Sequence, residues 1–264
     1  MSDILRQIVD QTREELRRIP LDLKEWQQSA RARVEGRDRH RFAVALQDRR
    51  IPVRIIAEIK AASPSAGTIV ADPPVEEIAR AYRDGGAAAI SVVTEPVYFH
   101  GSRDWIEIAS RASGLPVLMK DFIIEPAQIY RGFAAGADAI LLLAAILGEE
   151  TLAEFLAIVS ELGGDALVEV HDEKELERAL NAGANIIGVN NRDLRTFTVD
   201  LESSERLVRR IPDTLLRVAE SGIDGAAEVQ RLRQAGFGAF LVGESLLRQS
   251  DRTAAVRALM EVGA

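Results

Sequence analysis

In the stretch AEIKAASPS, Ala57–Ser65, a glutamate and a lysine stand two residues apart at the end of a short apolar run. Side chains alternate faces along an extended chain, so Glu58 and Lys60 share one. Opposite charges there are costly if buried dry, and strand interiors avoid them. An ion pair that closes a strand is one reading; the rim of a catalytic site is the other. Other apolar runs end in similar groups: Lys120 in PVLMK, Glu169 in ALVEV, Asn190 in NIIGVN, Glu220 and Ser221 after LLRVA, and Gly243 and Glu244 after AFLV. Two lysines and three glutamates on one rim suit proton transfer. A lysine near a second cation in apolar surroundings is expected to have its charged form disfavoured and to act as an acid near neutral pH. A glutamate across the mouth then takes up a proton.

The elements that would gather these residues are legible. From Arg54 onward, eight β-rich runs (54–59, 88–93, 116–120, 138–143, 166–170, 185–190, 215–220 and 239–243) alternate with amphipathic helical stretches. Such alternation implies right-handed parallel crossovers. Asp84-Gly85-Gly86-Ala87, Ala135-Gly136-Ala137, Ala182-Gly183-Ala184 and Ala235-Gly236-Phe237-Gly238 each close a helix and open the next run. Glycine there supplies a left-handed C-cap. The pattern predicts an α/β protein, a (β/α)8 TIM barrel spanning residues 49–264. A doubly wound open sheet is the runner-up, but it places a Gly-rich fingerprint where this chain has SPSAG. Residues 1–48 read as an N-terminal extension of one or two amphipathic helices up to Pro20 and another around Phe42–Leu46, packed on the barrel.

Barrel chemistry sits at the C-terminal strand ends. The turns Glu220-Ser221-Gly222 and Val242-Gly243-Glu244 follow strands seven and eight, a frequent place for a phosphate held by backbone N–H groups. The long segments Ser63–Val75 and Thr94–Asp104 suit a lid and an apolar wall, with Phe99 and Phe122 as wall candidates. His40, His100 and His171 show no ligand spacing and are assigned no metal or catalytic role.

A net charge of −8 without a basic, aromatic-interleaved stripe argues against nucleic-acid binding. The absence of cysteine removes disulfides and thiolate chemistry. No apolar run reaches the ~18 residues of a membrane span, and MSDILRQIVD lacks the pattern of a secretory signal. A cytoplasmic protein is expected, acting as a monomer or weak homodimer without metal or cofactor.

Across nearly its whole length the chain resembles the indole-3-glycerol phosphate synthase family. The resemblance is carried by IAEIKAASPSAG (56–67), ISVVTEPVYFHGS (90–102), PVLMKDFII (116–124), ALVEVHDEKEL (166–176), IIGVNNRDL (186–194), VAESGI (218–223) and FLVGESL (240–246), in the family's order and spacing. It implies ring closure of 1-(2-carboxyphenylamino)-1-deoxyribulose 5-phosphate with loss of carbon dioxide and water. By the same resemblance Lys120 matches the general acid, Glu169 the proton handler of dehydration, and Lys60 a second lysine on substrate anions. Glu58 matches the carboxylate that positions the lysines, and Asn190, Glu220 and Ser221 match polar active-site residues. Arg192 matches the substrate-carboxylate contact, and Ser63, Gly222, Gly243 and Glu244 the phosphate end. Phe99, Phe122 and Leu194 match the wall around the anthranilate ring. The chain departs from the family's usual pattern at Ala61, Ala66 and Arg131-Gly132-Phe133.

The residues alone leave rivals open. Lys120 could form a Schiff base in an aldolase. Glu58, Glu169 and Glu220 could hold a metal for enolase-like proton abstraction. A non-catalytic phospho-ligand binder is the third rival.

Overall fold

The computed structural model describes residues 3–18, 22–48, 50–193 and 198–261. Three helices precede the first strand: α1 (Asp3–Arg18), α2 (Leu23–Val34) and α3 (Arg41–Gln47). Then follow β1 (Arg54–Ile59), a small hairpin of β2 (Ala62–Ser63) and β3 (Gly67–Thr68), and α4 (Val75–Gly85). The alternation continues through β4 (Ala89–Val93), α5 (Asp104–Ser113), β5 (Val117–Lys120), α6 (Pro126–Ala134), β6 (Ala139–Leu143) and α7 (Glu149–Glu161). It closes with β7 (Asp165–Val170), α8 (Glu173–Asn181), β8 (Ile186–Asn190), α9 (Leu201–Leu207), β9 (Leu216–Glu220), α10 (Ala226–Ala235), β10 (Ala239–Val242), α11 (Glu244–Leu247) and α12 (Arg252–Met260).

All pairings among β1 and β4–β10 are parallel, and β1 pairs with both β4 and β10, so the sheet closes into an eight-stranded barrel. The expected strands lie within a residue or so of those observed. The glycines that close α4, α6, α8 and α10, Gly86, Gly136, Gly183 and Gly236, have φ between 88° and 118°. Only glycine adopts that conformation readily.

The N-terminal segment differs from the sequence expectation by one helix. Asp22 caps α2 by accepting from the backbone N–H groups of Lys24 and Glu25. The apolar stripe of α2 is thin, Trp26, Ala30 and Val34 among Arg and Gln, which is why periodicity alone understates it. Its neighbour α6 supplies the partner: the Arg131 guanidinium lies 5.4 Å from the Trp26 ring centroid. A Cβ on Gly132 would stand 2.7 Å from Ile140 Cδ1 and Met119 Sδ, so a glycine lets α6 lie close to the barrel.

The interior of the barrel has its own apolar cluster, in which Ile56, Leu118, Leu141, Leu167, Val218 and Leu241 meet Phe42 and Leu46 of α3. The bottom of the barrel is therefore stoppered by α3. At the other end α1 turns Ile4, Leu5 and Ile8 toward the cavity at the C-terminal strand ends.

Candidate active site

Strand register sets the level of the polar groups. Val93 pairs with Lys120, Leu143 with Glu169, and Asn190 with Glu220. The side chains converge on Lys120, whose Nζ lies 2.6 Å from Glu220 Oε2, 3.7 Å from Glu169 Oε2 and 3.7 Å from Glu58 Oε2. Glu58 Oε1 takes the second lysine, Lys60, at 2.7 Å. Asn190 Nδ2 donates to Glu169 Oε1 at 3.0 Å, and its Oδ1 accepts from the Arg192 backbone N–H at 3.0 Å. Strands β1, β5, β7, β8 and β9 each contribute one member of this network.

These neighbours decide the protonation states. Burial works against the charge of Lys120, yet Glu220, Glu58 and Glu169 together hold it well above an ordinary lysine. The sequence expectation of a lysine with its charge disfavoured is reversed. Period-two reasoning places a residue on a face but does not say which carboxylates stand opposite. Burial raises the Glu58 carboxyl, and Lys60 and Lys120 more than cancel that, leaving it below the usual carboxylate range. Glu169 is likewise buried but brought down to about 2 by His171, Lys120 and Asn190. Glu220 is pushed up to about 7 by burial, against the pull of Lys120. An amine held as ammonium by three carboxylates is a poor Schiff-base nucleophile, which removes the support for the aldolase reading.

Around this network lies a cavity of about 500 Å³. Glu58, Lys60, Lys120, Glu169 and Asn190 line it, as do Ser63, Phe99, Phe122, Arg192, Ser221, Gly222, Gly243 and Glu244. Glu220 is fully buried behind Lys120 and is not part of the lining. Leu194 lies outside the described residues. Phe99 and Phe122 form a tilted pair with centroids 6.1 Å apart. Ser221 and Gly222 both take φ of 66°, and Ser245 Oγ donates to the Ile223 carbonyl at 2.9 Å, tying the turn after β9 to the one after β10. The Glu244 carboxylate is turned back onto Arg248 at 2.8 Å. Gly243 has a further reason to be glycine: a Cβ there would stand 2.5 Å from Glu58 Oε1.

The family model described as indole-3-glycerol phosphate synthase matches residues 5–259. The chain belongs to that family. It is 44% identical over 263 residues to an indole-3-glycerol phosphate synthase of Koribacter versatilis, covering 98% of this chain and 100% of that one. It is 48% identical over 209 residues to indole-3-glycerol phosphate synthase 2 of Ralstonia nicotianae, covering 79% of this chain and 78% of that one. Among solved structures, 3-hexulose-6-phosphate synthase from Salmonella typhimurium superposes with a TM-score of 0.65 at 14% identity, covering 79% of this chain and 97% of that chain. That likeness is one of fold.

This member of the indole-3-glycerol phosphate synthase family also builds its site with Asn191 and Glu95, which the sequence reading passed over, and with His171, to which it assigned no role. Asn191 Nδ2 donates to the carbonyls of Glu220 at 2.9 Å and Ser221 at 2.8 Å, fixing the peptide after β9. The Glu95 carboxylate accepts from the backbone N–H groups of Val97, Tyr98 and Phe99, and so holds the turn that carries one wall aromatic. His171 touches Glu169 directly, with Nε2 3.3 Å from Oε1. The E-x-H spacing of Glu169 and His171 was a usable signal, since the same period of two joins Glu58 to Lys60.

Proposed function

We infer that the protein is an indole-3-glycerol phosphate synthase, a carboxy-lyase that closes the indole ring of 1-(2-carboxyphenylamino)-1-deoxyribulose 5-phosphate. The observation that carries the mechanism is the ammonium of Lys120 between three carboxylates at the edge of the cavity. The ring carbon that bears the carboxylate attacks the ketone carbon, and Lys120 protonates the oxygen as it becomes an alkoxide. An alkoxide is basic enough to take that proton from a strongly held lysine, so the interaction favours the transition state over bound substrate. Carbon dioxide then leaves with its bonding pair returned to the ring. In the last step the new hydroxyl departs as water with a proton from an acid, Lys60 or Lys120. Glu169 removes a proton from the adjacent ring carbon. No step calls for a metal or an organic cofactor.

The surrounding residues support binding and orientation. Arg192 suits the substrate carboxylate, and the Ser221-Gly222 and Gly243-Glu244 turns, with Ser63, suit the phosphate. Phe99 and Phe122 offer an apolar face to the anthranilate ring. Glu58 orients both lysines, and Glu220, out of reach of the cavity, holds Lys120 from behind.

The test is fluorescence detection of indole-3-glycerol phosphate formed from the carboxyphenylamino substrate in the presence of a chelator. We expect turnover in the wild type, and a loss of at least ~100-fold in kcat for Lys120→Ala with substrate affinity changed little. Near-normal turnover in that variant would remove Lys120 as the acid. A folded wild type that binds the substrate without converting it, in chelator and equally with divalent metal added, would favour the phospho-ligand binder.

A further inference from the structure

We propose that His171 is a positioning residue for Glu169: a half-buried imidazolium clamped between Glu169 and Glu175, which keeps the Glu169 carboxylate ionised and aimed into the cavity. The proposal rests on the reading of Glu169 as the base of the dehydration step. His171 is the first residue beyond β7, and two positions from Glu169 it shares that side chain's face. Its Nε2 lies 3.3 Å from Glu169 Oε1, and its Nδ1 lies 3.0 Å from Glu175 Oε2. The same Glu175 oxygen accepts the His171 backbone N–H at 2.8 Å. Glu175 itself is fixed in the first turn of α8, where its N–H donates to the Asp172 cap at 2.9 Å. Ring and backbone are thus held by one carboxylate while the far nitrogen faces another.

A neutral imidazole has one N–H and one lone pair. Nδ1 is hydrogen-bonded to Glu175, and Nε2 stands 3.3 Å from Glu169 in an ion-pair contact. A neutral ring protonated at Nδ1 would turn the Nε2 lone pair toward that carboxylate, whereas the imidazolium places positive charge there. Burial opposes that charge, but Glu169 and Glu175 outweigh it and raise the His171 pKa to about 10.

The groups around Glu169 act in the same direction. Facing Glu169 are Lys120 from β5, Asn190 from β8 and His171 itself; Glu58 from β1 and Glu220 from β9 share Lys120 with it, and Lys60 pairs with Glu58. Three central carboxylates meet two lysines. The imidazolium supplies a positive charge on the side of Glu169 away from Lys120. Glu220, raised to about 7, is the central carboxylate that takes up a proton most readily, so the effect of the imidazolium falls on how firmly Glu169 stays ionised.

The experiment is the pH dependence of kcat for His171→Asn and Glu175→Gln, together with nitrogen NMR of the His171 ring in the wild type. A Glu169 stripped of its nearest cation has a higher pKa, so the acid limb of kcat moves to higher pH. We expect an upward displacement of about one pH unit or more for His171→Asn, with kcat depressed roughly tenfold on that limb. KM should change less than about twofold, because His171 does not line the cavity. Glu175→Gln should shift the limb in the same direction by less. In the wild type both ring nitrogens should remain protonated through pH 8. A His171→Asn enzyme with an unmoved acid limb, or a His171 ring neutral at pH 7, would overturn the assignment. Failure of the wild type to convert the substrate would strike the functional reading instead, and the NMR titration would still judge the clamp.

Discussion

Gly188 lies in register with Glu169 on the neighbouring strand, and a Cβ there would stand 2.1 Å from Glu220 Oε1. The carboxylate that backs Lys120 therefore occupies the space a side chain on β8 would fill. Gly243 makes the same allowance for Glu58. In a close-packed interior neither carboxylate can retreat without moving Lys120. Gly188→Ala should cost about 1–3 kcal/mol of stability through overpacking. It should also lower kcat by at least ~10-fold by disturbing Lys120, the proposed acid, a geometric effect of the size expected for ångström-scale misplacement. Gly148→Ala is the control: its φ of −69° suits any residue and nothing lies within 4 Å of the added carbon. Urea unfolding and steady-state kinetics on both variants decide the matter. A Gly188→Ala enzyme as active as the Gly148→Ala control would mean that Glu220 does not need that space.

At the scale of elements, α1 and α3 do different work from opposite ends of the barrel. Phe42 and Leu46 of α3 are almost completely buried against the barrel interior, far along the strands from the polar rim. Phe42→Ala should destabilise the protein by about 3–5 kcal/mol, read by urea unfolding, with kcat and KM unchanged wherever the protein is folded. Ile8 of α1 lines the cavity, so Ile8→Ala should raise KM, by up to ~10-fold if its lost methylenes packed on substrate. An unchanged KM would free α1 from any part in binding. The strands and the rim residues were legible because barrel strands are short apolar runs and a charge at the end of such a run stands out. The acid–base partners were less so. Which carboxylates flank Lys120 depends on how eight strands close and stagger, and that information is not local to any of them. His171 and Asn191 follow recognised residues, but only the fold shows what their side chains meet. The second N-terminal helix was obscured for a simpler reason, since its narrow stripe is completed by Arg131 of α6.

Across the whole molecule, two carboxylates at the strand N-termini fasten the N-terminal segment to the barrel. Asp138 Oδ1 accepts from Arg37 at 2.8 Å and Arg41 at 2.9 Å, while its Oδ2 takes the Val117 backbone N–H at 2.9 Å. Asp165 meets His40 Nδ1 and the Ala43 backbone N–H, each at 2.9 Å. With the apolar stopper of α3 between them, these contacts make the extension part of the barrel's own core rather than an appendage. Extension and barrel should therefore unfold together. The chain has two tryptophans, Trp26 on α2 and Trp105 on α5, so each part carries its own fluorophore. In Trp105→Phe the signal follows the extension, and in Trp26→Phe it follows the barrel. Both urea curves should show one transition that coincides with far-UV circular dichroism, after allowance for the stability change of each substitution. Asp138→Asn should lower that stability by about 3–5 kcal/mol, because two arginines lose a buried partner. It should leave one transition, since the stopper remains. If the Trp26 signal is lost at a urea concentration where the barrel stays intact, the extension folds on its own account and the fastening is only superficial.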